Sequence, residues 1–77
     1  MKAIRMFKKL GYKFENINFK DKFIRYEYIK EEKLANFGVR KQRIWFDLIS
    51  KEIFIYNSIG IEELKAINKQ CEELGWL

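Results

Sequence analysis

The hydrophobic spacing changes twice along this 77-residue chain, and this change constrains the fold more than any other feature. Apolar residues recur at helical spacing over residues 2–10, alternate with polar residues from Tyr12 to Tyr56, and return to helical spacing over residues 61–74. Spacing near 3.6 residues indicates an amphipathic helix, whereas alternation indicates a strand with one buried face. The sequence therefore predicts a single α+β domain over residues 1–77, with a short helix before the strands and an amphipathic helix after them.

Four antiparallel strands fit into the alternating region. Short polar segments separate them, which is typical of strands that pair with their sequence neighbours. The connections are predicted as a turn at Lys20–Lys22, a charged loop at Glu31–Asn36 and a tight turn at Ser50–Lys51. The strands are predicted to begin at Tyr12, to cover Phe23–Lys30, to follow Phe37 and Gly38 and end near Ile49, and to cover Glu52–Tyr56.

The last hairpin can be assigned a register. If Ser50 and Lys51 form a two-residue loop, Ile49 pairs with Glu52, and side chains then alternate between two faces. The face expected in the core carries Ile44, Phe46, Leu48, Ile53 and Ile55. The opposite face carries Arg43, Trp45, Asp47, Ile49, Glu52, Phe54 and Tyr56.

The segment Ile61–Leu74 has the clearest helical pattern. Gly60 stands at the N-cap with Glu63 at the third helical position, and Gly75 follows the helix at C′. The stripe expected to be buried is Ile61, Leu64, Ile67, Cys71 and Leu74. The side expected to face solvent is Glu62, Glu63, Lys65, Lys69, Glu72 and Glu73. Both helices are expected to pack on one sheet face, which leaves the second face open.

The residue inventory excludes most catalytic sites. The chain has no histidine, so no Ser-His or Cys-His nucleophile pair can form. The single cysteine, Cys71, falls in the predicted core stripe and is interpreted as a packing residue. The four glycines stand apart, so the chain has no phosphate-binding loop. We therefore expect a protein that is not an enzyme and that uses no cofactor and no metal ion.

The net charge of +5 indicates which kinds of partner the chain is expected to attract. A positive field favours acidic partners or nucleic acid, although lysine-rich surfaces also keep small proteins soluble. Glu62 and Glu63 stand at the start of the closing helix, where double-stranded-RNA-binding domains place lysines, and they would repel a phosphate. The sequence contains no recognisable signal-peptide core or membrane span, so we expect a cytoplasmic protein without membrane contact.

The candidate binding residues are Arg43, Trp45, Phe54 and Tyr56, on the sheet face opposite the core. Exposed apolar patches mark protein contacts more often than nucleic-acid sites, so the leading hypothesis is a protein partner, including a second copy in a homodimer. The alternative is a single-stranded nucleic-acid binder, with bases stacked on this face at about 1–3 kcal/mol each. A third hypothesis, an oligomer that holds a small nucleotide between subunits, has no positive support in the sequence.

Three segments are similar to small uncharacterised proteins of phages and prophages from Gram-positive bacteria. They are Met6–Tyr12, Arg43–Tyr56 and Ile61–Trp76, and the closing helix, Ala66-Ile-Asn-Lys-Gln followed by Glu72-Glu-Leu-Gly-Trp76, is the most specific. Such relatives are expected to have a Thr or Ser cap where this chain has Gly60. The resemblance implies no activity and no functional residues. It implies a viral or prophage accessory protein of the bacterial host cytoplasm that binds a host protein, including a defence factor.

Overall fold

The protein has the predicted order of helix, four strands and helix. The structure, a computed structural model, describes residues 1–36 and 38–77. Its elements are α1 (Ala3–Lys9), β1 (Lys13–Phe19), β2 (Phe23–Lys33), β3 (Val39–Asp47), β4 (Glu52–Ile55) and α2 (Ile61–Glu73). The strands form one antiparallel sheet in the order β1-β2-β3-β4, and both helices pack on one of its faces. The predicted α+β architecture is confirmed, and Phe37 lies outside the described residues.

Helix α1 depends on the second helix for its N-terminal cap. The side chain of Lys2, at the N-cap, makes no capping hydrogen bond. The backbone N–H of Ala3 instead donates to a carboxylate oxygen of Glu73 at 2.7 Å. Glu73 is the last residue of α2, and the dipole of α2 disfavours an anion there. Because α1 and α2 contact each other, the hydrogen bond places the Glu73 carboxylate at the N-terminal end of α1, where the dipole of α1 favours an anion. Gly11, with φ at +95°, follows the last turn of α1 in the left-handed conformation that commonly ends a helix.

The β1–β2 connection is the predicted tight turn. Lys20 and Asp21 both have positive φ, at 50° and 57°, and Lys22 N–H donates to the Phe19 carbonyl at 2.8 Å. These contacts make a tight turn within the three-residue loop that connects the paired residues Phe19 and Phe23. Asn18 accepts a hydrogen bond from the Asp21 N–H at 3.0 Å, which stabilises the positive-φ residue.

The β3–β4 connection differs from the predicted two-residue loop. Asp47 pairs with Glu52 and Phe46 pairs with Ile53, so the register is shifted by two residues and residues 48–51 form the turn. The Asp47 side chain causes the difference, because it accepts hydrogen bonds from the backbone N–H groups of Ile49 and Ser50 at 3.0 and 2.9 Å. A shift of two preserves side-chain alternation, so the predicted division of residues between the two faces survives.

The first half of the segment predicted as a charged loop, Glu31–Lys33, is strand. β2 continues to Lys33, and Glu31 and Glu32 face Lys41 and Arg40 across the β2–β3 pair. Opposite charges on facing positions stabilise such a pair, so this charge pattern is compatible with a ladder. The prediction of a Glu31–Asn36 loop was wrong for its first three residues.

The core lies between the two helices and strands β2 and β3. Phe7 of α1 is fully buried, and its ring stacks on Tyr28 of β2 with 3.9 Å between ring centroids. The Tyr28 hydroxyl donates to the side-chain oxygen of Gln70 on α2, which satisfies two buried polar groups. Burial raises the pKa of Tyr28, and the nearby Glu73 carboxylate raises it further.

Helix α2 is rotated relative to the predicted stripe. Ile61 and Leu64 are 63% and 51% exposed, so their prediction as core residues was wrong, while that of Ile67 and Cys71 is confirmed. Two glutamates that were expected to face solvent make tertiary contacts: Glu63 accepts a hydrogen bond from the Tyr12 hydroxyl, and Glu73 caps α1. The buried positions are Ala66, Ile67, Gln70 and Cys71.

The two helices do not cover the whole inner face. Ile53 and Ile55 of β4 were expected in the core, yet they are 37% and 44% exposed. Neither belongs to the set of residues packed in the core of the described chain. The core set comes from α1, Tyr12, β2, β3 and α2, so β4 lies beyond the second helix.

Candidate binding surface on the outer sheet face

The outer face is defined here as the sheet face opposite the helices, and the four predicted site residues lie on it together. Trp45 and Phe54 are direct partners in the β3–β4 pair. The Tyr56 N–H donates to the Arg43 carbonyl at 2.9 Å, so these two residues face each other one step further along. Because side chains on facing positions project to the same side, all four share this face.

A row of stacked groups crosses the outer face, and we call it the aromatic ladder. The Trp45 and Phe54 rings stack with centroids 5.0 Å apart and planes 10° apart. The Arg25 guanidinium lies 5.6 Å from the Trp45 ring centre and 5.4 Å from that of Phe23. The ladder ends at the β1–β2 turn, where Phe19 stacks on Phe23 at 5.7 Å. It therefore runs across all four strands.

Three ladder residues, Phe19, Phe23 and Arg25, were missed by sequence reasoning. They share the outer face with Trp45 only through the observed register, in which Arg25 faces Asp47. The β2–β3 connection has no tight-turn motif that would set this register in advance. All three have odd residue numbers, as Trp45 does, and this alternation is the one sequence signal that could have placed them on the same face.

Arg25 is held among the rings without a full set of hydrogen bonds. Its Nε is buried, and it has no hydrogen-bond partner among the described residues. A buried donor without a partner is destabilising, whereas a cation over aromatic faces is stabilising, most strongly over Trp. The position of Arg25 therefore depends on Phe23 and Trp45.

An open groove of about 640 Å³ adjoins the ladder on the side of β3. Tyr56, which is 67% exposed, and Trp45, which belongs to the ladder, both line this groove. The groove is lined by Val39, Arg40, Lys41, Arg43, Trp45, Tyr56 and Asn57. Three of the four predicted residues thus line a single groove, and Phe54 lies beyond it, stacked on Trp45.

The outer face is balanced in charge, in contrast to the whole chain at +5. Its cations are Lys13, Arg25, Lys33, Lys41 and Arg43. Its carboxylates are Glu15, Glu27, Glu31, Asp47 and Glu52. The backbone N–H of Ser50 holds the pKa of Asp47 below its ordinary value, and the Ile49 N–H and Arg25 act in the same direction. Along the β3–β4 pair, Arg43 stands at one end, and Asp47 and Glu52 face each other at the other.

A second pocket, of about 390 Å³, lies at one end of the inner face. Its polar groups bond within the chain: Lys30 contacts Glu32 at 2.9 Å, the Tyr12 hydroxyl donates to Glu63 at 3.2 Å, and Arg40 donates to the Ser58 hydroxyl at 3.4 Å. Burial raises the pKa of Tyr12, and the Glu63 carboxylate raises it further. The buried Gln42 side chain bonds to the backbone of Asn57, which holds the segment after β4. These groups therefore stabilise the fold and offer few free contacts.

The described residues show little that points to covalent or metal chemistry. Within residues 1–36 and 38–77, no group of three or more His, Cys, Asp or Glu side chains could hold a metal ion. Cys71 is buried, and burial raises the pKa of its thiol, which disfavours the reactive thiolate. Neither described helix is long and apolar enough to cross a membrane. Comparisons of the chain with protein families, curated proteins and solved structures found no match.

Proposed function

We propose that this chain is a non-catalytic binding protein whose outer face docks against a protein partner. The observation that carries the proposal is the stacked Trp45–Phe54 pair on a sheet face that no described helix covers. Trp, Tyr and Arg are the residues that contribute most binding energy in protein interfaces. The ladder supplies an aromatic centre, and the charged residues around it form a polar rim.

The geometry of Trp45 favours a protein over a nucleic-acid base. Phe54 approaches its ring from β4, and Arg25 approaches from β2, on opposite sides of β3. Both faces of the indole are therefore engaged within the chain, whereas a base needs a free face on which to stack. The equal numbers of cations and carboxylates on the outer face also give no excess positive charge to attract phosphates.

A single-stranded nucleic-acid binder is the second candidate. The groove favours it, because Arg40, Lys41 and Arg43 line the groove together with Tyr56, whose ring is the most exposed aromatic of the site. Lysine and arginine beside an exposed ring are the elements of a single-strand channel. Lys41 lies 3.8 Å from the Glu31 carboxylate, which reduces the charge it offers to a phosphate.

We further propose that the partner belongs to a bacterial host and that the chain acts in the bacterial cytoplasm as a phage or prophage accessory protein. The support is the resemblance of the Ile61–Trp76 helix to phage proteins, and small phage proteins often block host or defence factors. This context is associational, since fold and site do not specify the partner.

The first experiment compares the native chain with Trp45→Ala and Tyr56→Ala. Each is immobilised, incubated with bacterial lysate, and the captured proteins are identified by mass spectrometry. The affinity for the captured partner is then measured by calorimetry with purified components. We expect each variant to lose about 2 kcal/mol or more of binding free energy, as at interface hot spots.

The matched control is Ile4→Ala, which truncates an exposed apolar residue on α1, away from the outer face. It should bind as the native chain does. Tyr56→Ala separates binding from folding, because Tyr56 is largely exposed and its loss should leave the fold intact. Unchanged affinity in both outer-face variants would show that the partner binds elsewhere.

A salt series separates the two candidates. A labelled single-stranded oligonucleotide is titrated with the protein at increasing KCl concentrations. If Arg40, Lys41 and Arg43 each contact one phosphate, the logarithm of the affinity should fall with the logarithm of salt with a slope of about −2. Absence of binding at low salt would remove the nucleic-acid candidate and leave the protein-binding proposal standing.

A further inference from the structure

The edge strand β4 is unusually open. The strand order places β4 at an edge of the sheet, and all four of its residues are exposed. Ile53, Phe54 and Ile55 are 37%, 39% and 44% exposed, so apolar side chains face solvent on both sides of the sheet. Edge strands are usually protected by a bulge, a proline, an inward charge or a covering helix. β4 is short and carries the charge of Glu52, and both features limit pairing, but over Ile53–Ile55 the pairing is regular and no bulge, proline, inward charge or covering helix is present.

The free backbone groups of β4 can be identified from its hydrogen bonds. The Tyr56 N–H donates to the Arg43 carbonyl of β3. Backbone groups alternate in direction along a strand, so Phe54 and Glu52 also point towards β3. The N–H and C=O groups of Ile53 and Ile55 therefore point away from the sheet. They are the groups that a further strand would bond.

The inner side of β4 continues into an exposed flank of α2. Glu73 caps α1, so the flank of α2 that carries Glu73 faces α1. At about 100° per residue, Leu64 lies on the opposite flank, towards β4. Leu64 is 51% exposed, as expected if no described residue covers this side. Ile53, Ile55 and Leu64 are thus exposed apolar residues on the helix side of the sheet.

We propose that β4 pairs with β4 of a second copy of this chain, antiparallel and about a two-fold axis. The register places Phe54 opposite the partner's Phe54 and Ile53 opposite the partner's Ile55. In this register the outward N–H and C=O groups of both isoleucines form four hydrogen bonds across the axis. It also keeps each face continuous, because directly paired residues lie on the same side of the combined eight-stranded sheet.

The charge pattern selects a second copy as the occupant. The β3–β4 pair is basic at one end, where Arg43 adjoins Tyr56, and acidic at the other, where Asp47 faces Glu52. A two-fold antiparallel pairing sets Glu52 opposite the partner's Tyr56, with the partner's Arg43 one strand further on the same face, about 10 Å away between Cα atoms, and it does so twice. Parallel pairing would bring Glu52 against its own counterpart, which is destabilising. The edge is therefore complementary to itself in charge as well as in apolar surface.

The dimer goes beyond the proposed function and extends its surface. The outer faces of the two copies become one surface in which two Trp45–Phe54 pairs lie in a single row. The oligomeric state is measured on the chain alone, so a failure of the dimer and a failure of partner capture are separate results.

Sedimentation velocity over a wide concentration range tests the pairing. We expect the native chain to sediment at twice the 9.5 kDa mass of one chain. Ile55→Lys places a charge in the apolar surface and should sediment as a monomer. Ile53→Pro removes one outward N–H and no bond within the chain, so it should weaken the dimer while circular dichroism stays native. The control, Asn16→Lys, places the same charge on the β1 edge, at an exposed position on the same sheet face as Ile55, and should remain dimeric.

A charge exchange tests the register. Glu52→Arg and Arg43→Glu should each weaken the dimer by about threefold, because each replaces two attractions by repulsions between charges that lie two strands apart. The double variant should recover most of the native affinity. A native chain that stays monomeric at every concentration would overturn the proposal. A dimer that survives both Ile55→Lys and Ile53→Pro, or a double variant without recovery, would overturn the pairing of β4 in this register.

Discussion

The two edges of the sheet are built in opposite ways. β1 is seven residues long and carries polar side chains such as Asn16 and Asn18, and the inner side of its first half lies under α1. There Phe14 packs against the rings of Tyr26 and Tyr28. β4 is four residues long and apolar from Ile53 to Ile55, and α2 does not pack over it. The β1 edge is therefore polar and partly covered on its inner side, whereas the β4 edge is short and apolar.

This difference separates stability from binding within a small domain. The buried residues come from α1, α2, β2 and β3, together with Tyr12. The residues that carry the proposed contacts, in β4 and along the aromatic ladder, contribute little to that core. Substitutions in the core between the helices and strands β2 and β3 should therefore change the free energy of unfolding, and substitutions on β4 should change association.

The largest expected contrast is between Phe7→Ala and Ile53→Ala. Phe7 is fully buried against Tyr28, so its truncation should lower the free energy of unfolding by about 3–5 kcal/mol. Ile53 is 37% exposed, and its truncation should cost about 1 kcal/mol or less. Guanidinium unfolding at low protein concentration measures both without a contribution from the dimer. Equal losses of unfolding free energy in the two variants would contradict the separation of stability from association.

A smaller loss is expected for Tyr28→Phe. The substitution keeps the stacked ring and removes the hydroxyl that donates to Gln70. The buried Gln70 oxygen is then left without its donor, which should cost about 1–3 kcal/mol of unfolding free energy. Gln42→Glu is the comparison variant. It alters the hydrogen bonds between the buried Gln42 side chain and the Asn57 backbone, which lie outside the helix interface.

Tyr28 also makes the free energy of unfolding depend on pH in the alkaline range. The pKa of Tyr28 is raised above its ordinary value of 10.0 in the folded state, so the neutral form is favoured by folding. The stability it contributes is fully present below pH 10 and is lost as pH rises towards the folded-state pKa. Unfolding measured on both sides of pH 10 should show a steeper decline for the native chain than for Tyr28→Phe. Parallel declines would show that this hydroxyl is not responsible.

The smallest effect is expected at the cap of α1. Glu73→Ala removes the acceptor of the Ala3 N–H and should cost about 1 kcal/mol, as for other helix caps. Glu72→Ala is the matched control, since Glu72 is exposed and its contact with Lys69, at 3.7 Å, is a surface ion pair. The two variants have the same helix propensity at neighbouring positions. A difference in thermal midpoint between them therefore reports the cap alone.

Local patterns were sufficient to predict most of the fold. The change from helical to alternating spacing located all six elements, because amphipathic period depends on sequence alone. The hairpin faces were also predicted correctly, although the register was off by two. The error came from one side chain, Asp47, whose capping of the turn has no simple signature in the sequence.

The candidate site was predictable only within one hairpin. Trp45 and Phe54 are close in sequence, so alternation alone placed them on one face. Arg25 reaches Trp45 across the β2–β3 pair, whose register depends on a long connection and on charge pairs such as Glu31 with Lys41. Residues that meet through distant strands required the assembled sheet.

What the sequence by itself determined is the order of elements, the two faces of the last hairpin and the core role of Cys71, because these follow from periodicity along the chain. Only the tertiary structure decided how α2 is rotated. Its hydrophobic stripe alone would have buried Ile61 and Leu64, but Glu63 bonds to Tyr12, Gln70 to Tyr28 and Glu73 to Ala3. These bonds turn the helix towards α1 and leave β4 uncovered. The open edge is thus a consequence of polar contacts between distant residues, which hydrophobic periodicity does not record.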